Sequence, residues 1–303
     1  MKNCLISVFS GTGNTKRIAE FIKESLSSSY VTEIQEIPTS NDSNITKEAD
    51  LLGFGYPIHA FNAPEIFIDF IKSLPEDQDK KCFLFESSGE GLKLNNASSA
   101  LAIRILKKKG YIVLSDRHYL MPYNIIARHE DSMVLQMLVY SHCLARAQAV
   151  SIISETIEPT KRKVFLRLWS ILFRIEWFYA KAAGPRMKVD NKKCCQCMKC
   201  INLCPSKNIS FIDGKFVFGK SCALCLRCSF YCPKDAISLW LLNGWRLNGS
   251  YDFNKAVKEE KDSFPRVNKK TKGILSIYKS YFSRCDAYFA KQGIKIEEKD
   301  FRP

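Results

Sequence analysis

Cysteines are concentrated in one part of the 303-residue chain, because nine of the thirteen lie between Cys194 and Cys232. Eight of the nine form two runs with the spacing C-x2-C-x2-C-x3-C, each followed by proline: Cys194, Cys197, Cys200, Cys204 and then Cys222, Cys225, Cys228, Cys232. Short spacings of this kind let three thiolates from one tight loop reach three irons of a cubane cluster. The sequence therefore predicts that these eight residues are metal ligands and that the chain binds two [4Fe–4S] clusters.

The cysteine runs belong to a longer internal repeat. Each cysteine of the first run has a counterpart 28 positions later in the second run. Neighbouring residues also match at this offset, as Val189 matches Val217. A duplication of this kind implies a module with two equivalent cluster sites. Zinc is the alternative, since CxxC pairs also bind zinc, but a zinc site has no use for a third evenly spaced cysteine or for the trailing Cys-Pro. Cys195 fits neither run, and we expect it to be a free thiol.

A second site is predicted by the loop Ser10-Gly11-Thr12-Gly13-Asn14-Thr15, which lies between an apolar run and a helical stretch. The loop offers small hydroxyls, two glycines and successive backbone N–H groups at a helix N-terminus. Such a loop binds a phosphate without a cationic side chain. It is not a Walker A loop, which needs Gly-Lys-Ser/Thr, and it is not a GxGxxG turn. We therefore expect a phosphate-bearing ligand here.

The elements that must position this loop alternate between strands and helices. The strand candidates are Cys4–Phe9, Tyr30–Ile37, Leu51–Tyr56, Cys82–Glu86 and Tyr111–Leu114. After the helical stretch that follows the phosphate loop, the further helix candidates are Pro64–Leu74, Asn95–Lys109 and Ser132–Thr156. Alternation of this kind predicts an open parallel α/β sheet.

The first half of the chain resembles the flavodoxins, through its phosphate loop and the order of the elements around it. The resemblance implies a five-stranded parallel sheet of order 2-1-3-4-5, with FMN at the carboxyl ends of the strands. Two further loops fall where flavodoxin-like proteins contact the isoalloxazine ring: Tyr56, Pro57, Ile58, His59, Ala60, Phe61 and then Ser87, Ser88, Gly89, Glu90, Gly91. FMN bound by these residues and by Ser10–Thr15 is the expected second type of cofactor. Taken singly, the aromatic residues could instead belong to the core.

The cysteine-rich region resembles the bacterial two-cluster ferredoxins over about fifty residues. This resemblance implies a small α+β module in which the cysteine before proline ligates the other cluster. The two ligand sets are then Cys194, Cys197, Cys200, Cys232 and Cys222, Cys225, Cys228, Cys204. As a whole, the chain resembles the flavodoxin–ferredoxin fusion proteins of anaerobic prokaryotes.

The expected domain boundaries follow from these two resemblances. Residues 1–158 form the flavodoxin-like domain, 159–187 an amphipathic linker helix, 188–242 the ferredoxin-like domain and 243–303 a basic tail with one helix candidate, Ile274–Gln292. The linker has apolar residues at helical spacing: Val164, Phe165, Leu168, Ile171, Leu172, Ile175 and Phe178. A basic amphipathic helix can lie on a membrane. Packing between the domains is the interpretation that we favour, with Gly184-Pro185 ending the helix.

The charge and the hydropathy of the chain limit the classes of partner and the cellular location that we expect. The formal net charge is +15. It falls to about +11 when two clusters with their thiolates are counted, and to about +9 with an FMN phosphate. The basic residues are spread along the chain without a nucleic-acid motif, which argues against nucleic-acid binding. No signal peptide and no apolar run of membrane-spanning length is present, so we expect a cytoplasmic protein without a transmembrane segment, which could form a homodimer.

Two functions are compatible with these features. The first is an electron-transfer flavoprotein that moves low-potential electrons between the two clusters and FMN and supplies a partner reductase. The second is a flavin-dependent reductase that acts directly on a small organic acceptor such as a quinone, an enone or a nitro compound. In the second case the residues expected to donate a proton are Tyr56 and His59. The sequence does not separate the two.

Overall fold

The computed structural model describes residues 1–37, 48–158, 160 and 164–303. Its central sheet is parallel and has five strands in the order β2-β1-β3-β4-β5. The strands are β1 (Lys2–Val8), β2 (Tyr30–Glu36), β3 (Leu51–Pro57), β4 (Lys81–Ser88) and β5 (Ile112–Leu120). This is the flavodoxin-like strand order, so the fold class predicted from the sequence is confirmed.

Helices cover both faces of the sheet, which is why its strands are apolar on both sides. One face is covered by α1 (Asn14–Leu26) together with a helix that follows the last strand. The other face is covered by the two helices between β3 and β5. In chain order after α1, these helices are α2 (Glu65–Ser73), α3 (Ala100–Lys108) and α4 (Asp131–Ile153).

The linker forms two helices, α5 (Val164–Leu172) and α6 (Ile175–Ala183), so the expectation of a single helix is wrong. The predicted end is confirmed, because α6 stops immediately before Gly184. The following apolar linker side chains are exposed: Leu168, Ile171, Leu172, Ile175 and Phe178. They therefore do not pack between the domains as expected. Residues 159 and 161–163, and the side chains of Val164 and Phe165, lie outside the described part of the chain.

Residues 188–242 form a small unit with two short antiparallel sheets. Its strands are β6 (Lys188–Val189), β7 (Ile209–Ile212), β8 (Lys215–Phe218) and β9 (Ile237–Ser238), paired as β6 with β9 and β7 with β8. Two short helices, α7 (Lys199–Asn202) and α8 (Arg227–Phe230), begin 28 positions apart, each within one cysteine run. The two halves of the internal sequence repeat therefore have the same local backbone structure.

The region after residue 243, which was expected to be a basic tail with one helix, is folded against the rest of the chain. Helices α9 (Phe253–Glu260) and α10 (Lys279–Lys291) pack on the outer side of α4. Helix α4 is consequently buried along almost its whole circumference. The predicted helix Ile274–Gln292 corresponds to a 3-10 turn followed by α10. None of the described helices is long and apolar enough to cross a membrane.

Candidate functional site

A cavity of about 450 Å³ opens where the loops after β1, β3, β4 and β5 meet at the carboxyl edge of the sheet. This is the edge at which open α/β sheets bind ligands, and the volume is within the range of small-molecule sites. Most residues predicted to bind FMN line this cavity: Ser10, Gly11, Thr12, Asn14, Thr15, Pro57, Ile58, His59, Ala60, Phe61, Ser87, Ser88, Gly89 and Glu90. The three loops predicted from the sequence are therefore brought together.

The loop after β1 presents the N-terminus of α1 to the cavity. Gly13 precedes the helix with φ 102°, a left-handed conformation that favours glycine. Gly13 itself has no side chain with which to cap the helix, and no acidic residue occupies the first turn, so no carboxylate neutralises the partial positive charge of the helix N-terminus. Ser10 Oγ accepts hydrogen bonds from Gly13 N and Lys16 N, both at 3.2 Å, and thereby holds the loop in shape. This loop can bind an anionic phosphate.

Three of the predicted residues are outside the cavity lining, namely Gly13, Tyr56 and Gly91. Tyr56 is fully buried, its ring is 4.4 Å from that of Phe67, and its hydroxyl is 3.0 Å from Ser98 Oγ. It is therefore a core residue and not a proton donor to the cavity. The sequence prediction was wrong here because Tyr56 still belongs to β3, where successive side chains point to opposite faces of the sheet, and that of Tyr56 points into the core below α2.

His59 does reach the cavity and is fixed from the linker. Its Nδ1 atom is 3.5 Å from Glu176 Oε1, and Glu176 also lines the cavity. The neighbouring ring of Phe61 lies 4.9 Å from that of Phe173 in an edge-to-face contact. The linker therefore helps to form the wall of the cavity at the loop after β3.

The loop after β5 was missed by the sequence analysis, although all of residues 121–126 line the cavity. The signal was available, because the carboxyl end of every strand in a parallel sheet lies at the same edge. Within this loop, Tyr123 packs so closely that a Cβ atom on Gly89 would lie 2.1 Å from its ring. Glycine is thus required at position 89 by the close approach of Tyr123.

A chain of hydrogen-bonding side chains leads out of the cavity. The half-buried carboxyl of Glu90 accepts from Asn95 Nδ2 at 3.1 Å and pairs with the hydroxyl of Tyr123. Tyr123 pairs in turn with the hydroxyl of Tyr278. Tyr278 Oη is 2.9 Å from His129 Nε2. Burial raises the pKa of Glu90 and lowers the pKa of His129 to about 4.

The cysteines are grouped across the two runs. One small cavity is lined by Cys194, Cys197, Cys200 and Cys232, with Cys195 beside them. Cys204 lies close enough to the other three ligand candidates, Cys222, Cys225 and Cys228, to interact electrostatically with each of them. The structure therefore places the last cysteine of each run beside the first three of the other. In the described part of the chain, no three His, Cys, Asp or Glu side chains are arranged to hold a single metal ion.

The backbone around the sulfurs follows the same repeat. Gln196 N donates to Cys194 Sγ at 3.4 Å, and Leu224 N donates to Cys222 Sγ at the same distance. Gln196 and Leu224 both have a positive φ, of 50° and 49°. These left-handed residues fold each loop tightly, so that N–H groups point at sulfur. Hydrogen bonds to sulfur are a feature that tunes iron–sulfur clusters.

The second cysteine run is in direct contact with the phosphate loop. Leu224, Cys225 and Leu226 line the same 450 Å³ cavity as the loop after β1. A Cβ atom on Gly11 would lie 2.2 Å from the Cys225 carbonyl oxygen, so the two backbones touch at this point. This contact could not be predicted from the sequence, because it joins segments more than 200 residues apart.

Arg227 stabilises the contact between the second cysteine run and the phosphate loop. Its guanidinium donates to Gly11 O at 3.1 Å and to Ser10 O, and it forms an ion pair of 2.9 Å with Glu36. The Arg227 side chain is only 14% exposed. Because a buried guanidinium needs its hydrogen bonds satisfied, this residue holds the second cysteine run against the edge of the sheet.

The remaining cysteines do not form a site. Cys4, Cys82, Cys143 and Cys285 are buried and apart from the two runs. Burial raises the pKa of each of these thiols, to about 12 for Cys4 and Cys285. They therefore behave as small apolar residues, as buried cysteines commonly do. Cys195 is exposed.

Several solved structures are similar to about half of the chain. No protein-family model and no curated protein matches it. Among solved structures, flavodoxin 1 from Bacillus cereus is 18% identical, with a TM-score of 0.38 over 50% of this chain and 97% of that one. The Streptococcus pneumonia TIGR4 flavodoxin is 17% identical (TM-score 0.38; 51% and 99%). The rubredoxin oxygen:oxidoreductase from the anaerobe Desulfovibrio gigas is 16% identical (TM-score 0.37; 51% and 36%).

Proposed function

We propose that this chain is an iron–sulfur flavoprotein that moves low-potential electrons between two [4Fe–4S] clusters and FMN. Residues 188–242 would hold the clusters and the cavity of residues 1–158 would hold the flavin. The observation that carries the proposal is the shared cavity wall: Cys225, a predicted cluster ligand, lines the same cavity as the phosphate loop Ser10–Thr15. Two redox sites that share a wall are suited to exchange electrons within one chain.

The residues present fit both kinds of cofactor. Each group of four cysteines provides the thiolates that a cubane needs, supported by N–H groups directed at sulfur. The flavin phosphate would be bound by the N-terminus of α1, whose first turn has no acidic residue, and the ring system by the loops after β3, β4 and β5. When bound, the clusters supply one-electron steps and the flavin converts between one- and two-electron chemistry.

The two cluster sites would act in series. The site of Cys222, Cys225, Cys228 and Cys204 adjoins the flavin cavity, whereas Cys197 of the other site is exposed. Exposed lysines surround the outer site, including Lys192, Lys193, Lys199 and Lys234. We therefore propose that an acidic redox partner docks at the outer site, since opposite charge steers association.

Cofactor analysis of anaerobically purified protein tests the proposal. We expect about eight irons, about eight acid-labile sulfides and one FMN per chain, from the ligand count of two cubanes. Stoichiometric zinc in place of iron would reject the cluster assignment. Protein that retains the iron but binds no FMN on titration would reject the flavin assignment separately.

A second candidate function is a flavin-dependent reductase, and the chain of side chains from Glu90 to His129 favours it. Reducing a quinone or an enone requires two electrons and two protons, of which a reduced flavin supplies a hydride. The remaining proton could come from Glu90, whose pKa is raised by burial, with replacement through Tyr123, Tyr278 and His129. His59, which was predicted as a donor and does line the cavity, is the alternative source.

The two functions make different demands on Glu90. A Glu90→Gln variant keeps the shape of the side chain but removes the acid. For a reductase, turnover with a quinone or enone panel should fall by about 10²–10⁴-fold, the usual contribution of a general acid, while flavin reduction through the clusters is unchanged. An His59→Gln variant provides the comparison. If the parent protein turns over none of these acceptors, the reductase function is rejected and the carrier function is retained.

A further inference from the structure

The two linker helices present an apolar face to solvent. Five large side chains are between 50% and 74% exposed: Leu168, Ile171, Leu172, Ile175 and Phe178. Leu168, Ile171 and Leu172 lie three or four residues apart on α5, and Ile175 and Phe178 lie three apart on α6, which is the spacing of one face of each helix. Single exposed apolar residues are common, but a contiguous group marks an interaction surface. We call these five residues the linker face.

The opposite side of the same helices is firmly attached to the protein. Trp177 Nε1 donates to Ala63 O at 3.3 Å, and Asn62 Nδ2 donates to Ser170 O at 2.7 Å. The ring of Tyr179 stacks on that of Trp240 with 5.6 Å between centroids. The linker face is therefore exposed because the helices are anchored through their other side, and turning it inward would break these contacts.

The chemistry around the linker face identifies its occupant. The sequence of residues 161–188 has eight basic residues and a single acidic one, Glu176. Of the basic residues whose side chains the structure describes, Lys181, Arg186 and Lys188 are exposed. Basic residues beside Leu, Ile and Phe on helices characterise segments that lie in the interface of an anionic bilayer. A second copy of the chain is a poorer occupant, because a symmetric contact would bring these like charges together.

We propose that the linker face is a peripheral membrane-binding surface for anionic lipid. Its apolar side chains enter the boundary between headgroups and acyl chains, and the basic character of the segment attracts it to anionic headgroups. Glu176 on α6 also lines the large cavity, so the linker that would dock on the membrane is also part of the cavity wall. The inference concerns this surface and does not depend on the cofactors proposed above.

Vesicle sedimentation of the anaerobically purified full chain tests the proposal. The probes are phosphatidylcholine vesicles and vesicles of phosphatidylcholine with phosphatidylglycerol. We expect binding to the second kind only, weakened by salt, which screens the lysines and arginines. The double variant Ile175→Asn with Phe178→Asn should lower the partition coefficient at least about tenfold, from the lost burial of two large apolar side chains.

The matched control is Ile274→Asn with Ile277→Asn, which removes two apolar residues that are 82% and 51% exposed outside the linker face. It should bind anionic vesicles as the parent does. The proposal is overturned if the parent does not bind anionic vesicles. It is also overturned if the linker-face variant binds them as well as the parent does, because binding would then come only from the general attraction of a basic protein to an anionic surface. A lipid-free dimer that the linker-face variant abolishes would assign the surface to a second copy. Phe178→Asn alone repeats the test if the double variant fails to fold.

Discussion

The two cysteine runs are nearly identical as ligand patterns but differ in their surroundings. In the first run, Cys195, Cys197 and Lys199 are exposed. In the second run every position from Cys222 to Cys228 is at least partly buried, and the loop lies against the phosphate loop. A duplicated module has thus acquired one outer site and one inner site, because only one of its halves contacts the sheet.

Residues between the ligands explain this difference. At equivalent positions, Gln196 in the first run corresponds to Leu224 in the second, which lines the cavity. Lys199 corresponds to Arg227, which donates to the carbonyl oxygens of Ser10 and Gly11. Under the proposed function, the cysteines would specify two equal clusters, whereas the intervening side chains would decide which cluster faces the flavin and which faces a partner.

The largest effect is expected from removing one ligand of each site. The last cysteine of each run lies beside the other run, so Cys204→Ala should lose the inner cluster and Cys232→Ala should lose the outer one. Each variant should therefore retain about four of the eight irons. Only Cys204→Ala should then abolish the passage of electrons to the flavin inside the chain. Paramagnetic spectra of the reduced variants identify the cluster that remains. Loss of the outer cluster in Cys204→Ala would contradict the crossed arrangement.

Arg227 and Lys199 provide the next comparison, since they occupy equivalent positions with different partners. We expect Arg227→Ala to lower the free energy of unfolding by about 2 kcal/mol or more, because charge-assisted hydrogen bonds contribute about 1.5–3 kcal/mol each. Lys199→Ala, at an exposed site, should change it by no more than about 0.5 kcal/mol. Denaturant titrations of both variants with the cofactors in place measure this. Equal effects would mean that Arg227 does not fasten the module.

The sequence could predict the ligands and the sheet for a simple physical reason. Short-range spacing determines which thiolates share a loop, and alternation of strands and helices determines the parallel sheet, so the positions of Cys194 and of Gly11 on their loops were foreseeable. The contact between Gly11 and Cys225 was not foreseeable, because it depends on how two separate units pack. The amphipathic pattern of the linker likewise predicted a helical face but not what covers it.

The folding of the C-terminal region against α4 could have been predicted from the sequence of α4. The segment Ser132–Thr156 is apolar on all sides, and a helix of that kind must be covered on all sides. The sheet can cover only one side of α4, so another part of the chain had to cover the rest. Helices α9 and α10 do so, and through Tyr278 the same region reaches the hydrogen-bond chain that begins at Glu90.

Gly11→Ala tests the contact between the two units at its closest point. The added Cβ atom would lie 2.2 Å from Cys225 O, so the inner cysteine loop must move away from the phosphate loop. We expect electron transfer from the clusters to the flavin to slow by about tenfold, while the iron content is retained. Gly244→Ala is the control, because a Cβ atom there would meet nothing within 4 Å. An unchanged rate in Gly11→Ala would show that the contact is not needed.

The smallest effect concerns one hydroxyl of the phosphate loop. Thr12 lines the cavity, and its hydroxyl oxygen accepts a hydrogen bond from Asn124 Nδ2. The hydroxyl proton can therefore be donated to a bound phosphate. Thr12→Ala should weaken FMN binding about tenfold, because a hydrogen bond to a charged group contributes about 1.5–3 kcal/mol. Riboflavin, which lacks the phosphate, should bind more weakly than FMN and be insensitive to the substitution. Equal affinities of the parent for riboflavin and FMN would exclude a phosphate site.

The central claim is that the inner cysteine loop and the flavin cavity form one electron path within the chain. Rapid anaerobic mixing of the holoprotein with a low-potential reductant follows both chromophores. We predict that the clusters bleach first and the flavin second, at a rate that does not change with protein concentration and that falls in Gly11→Ala but not in Gly244→Ala. A flavin reduction rate that rises in proportion to protein concentration would contradict the account, because the clusters and the flavin would then exchange electrons only by collision between molecules.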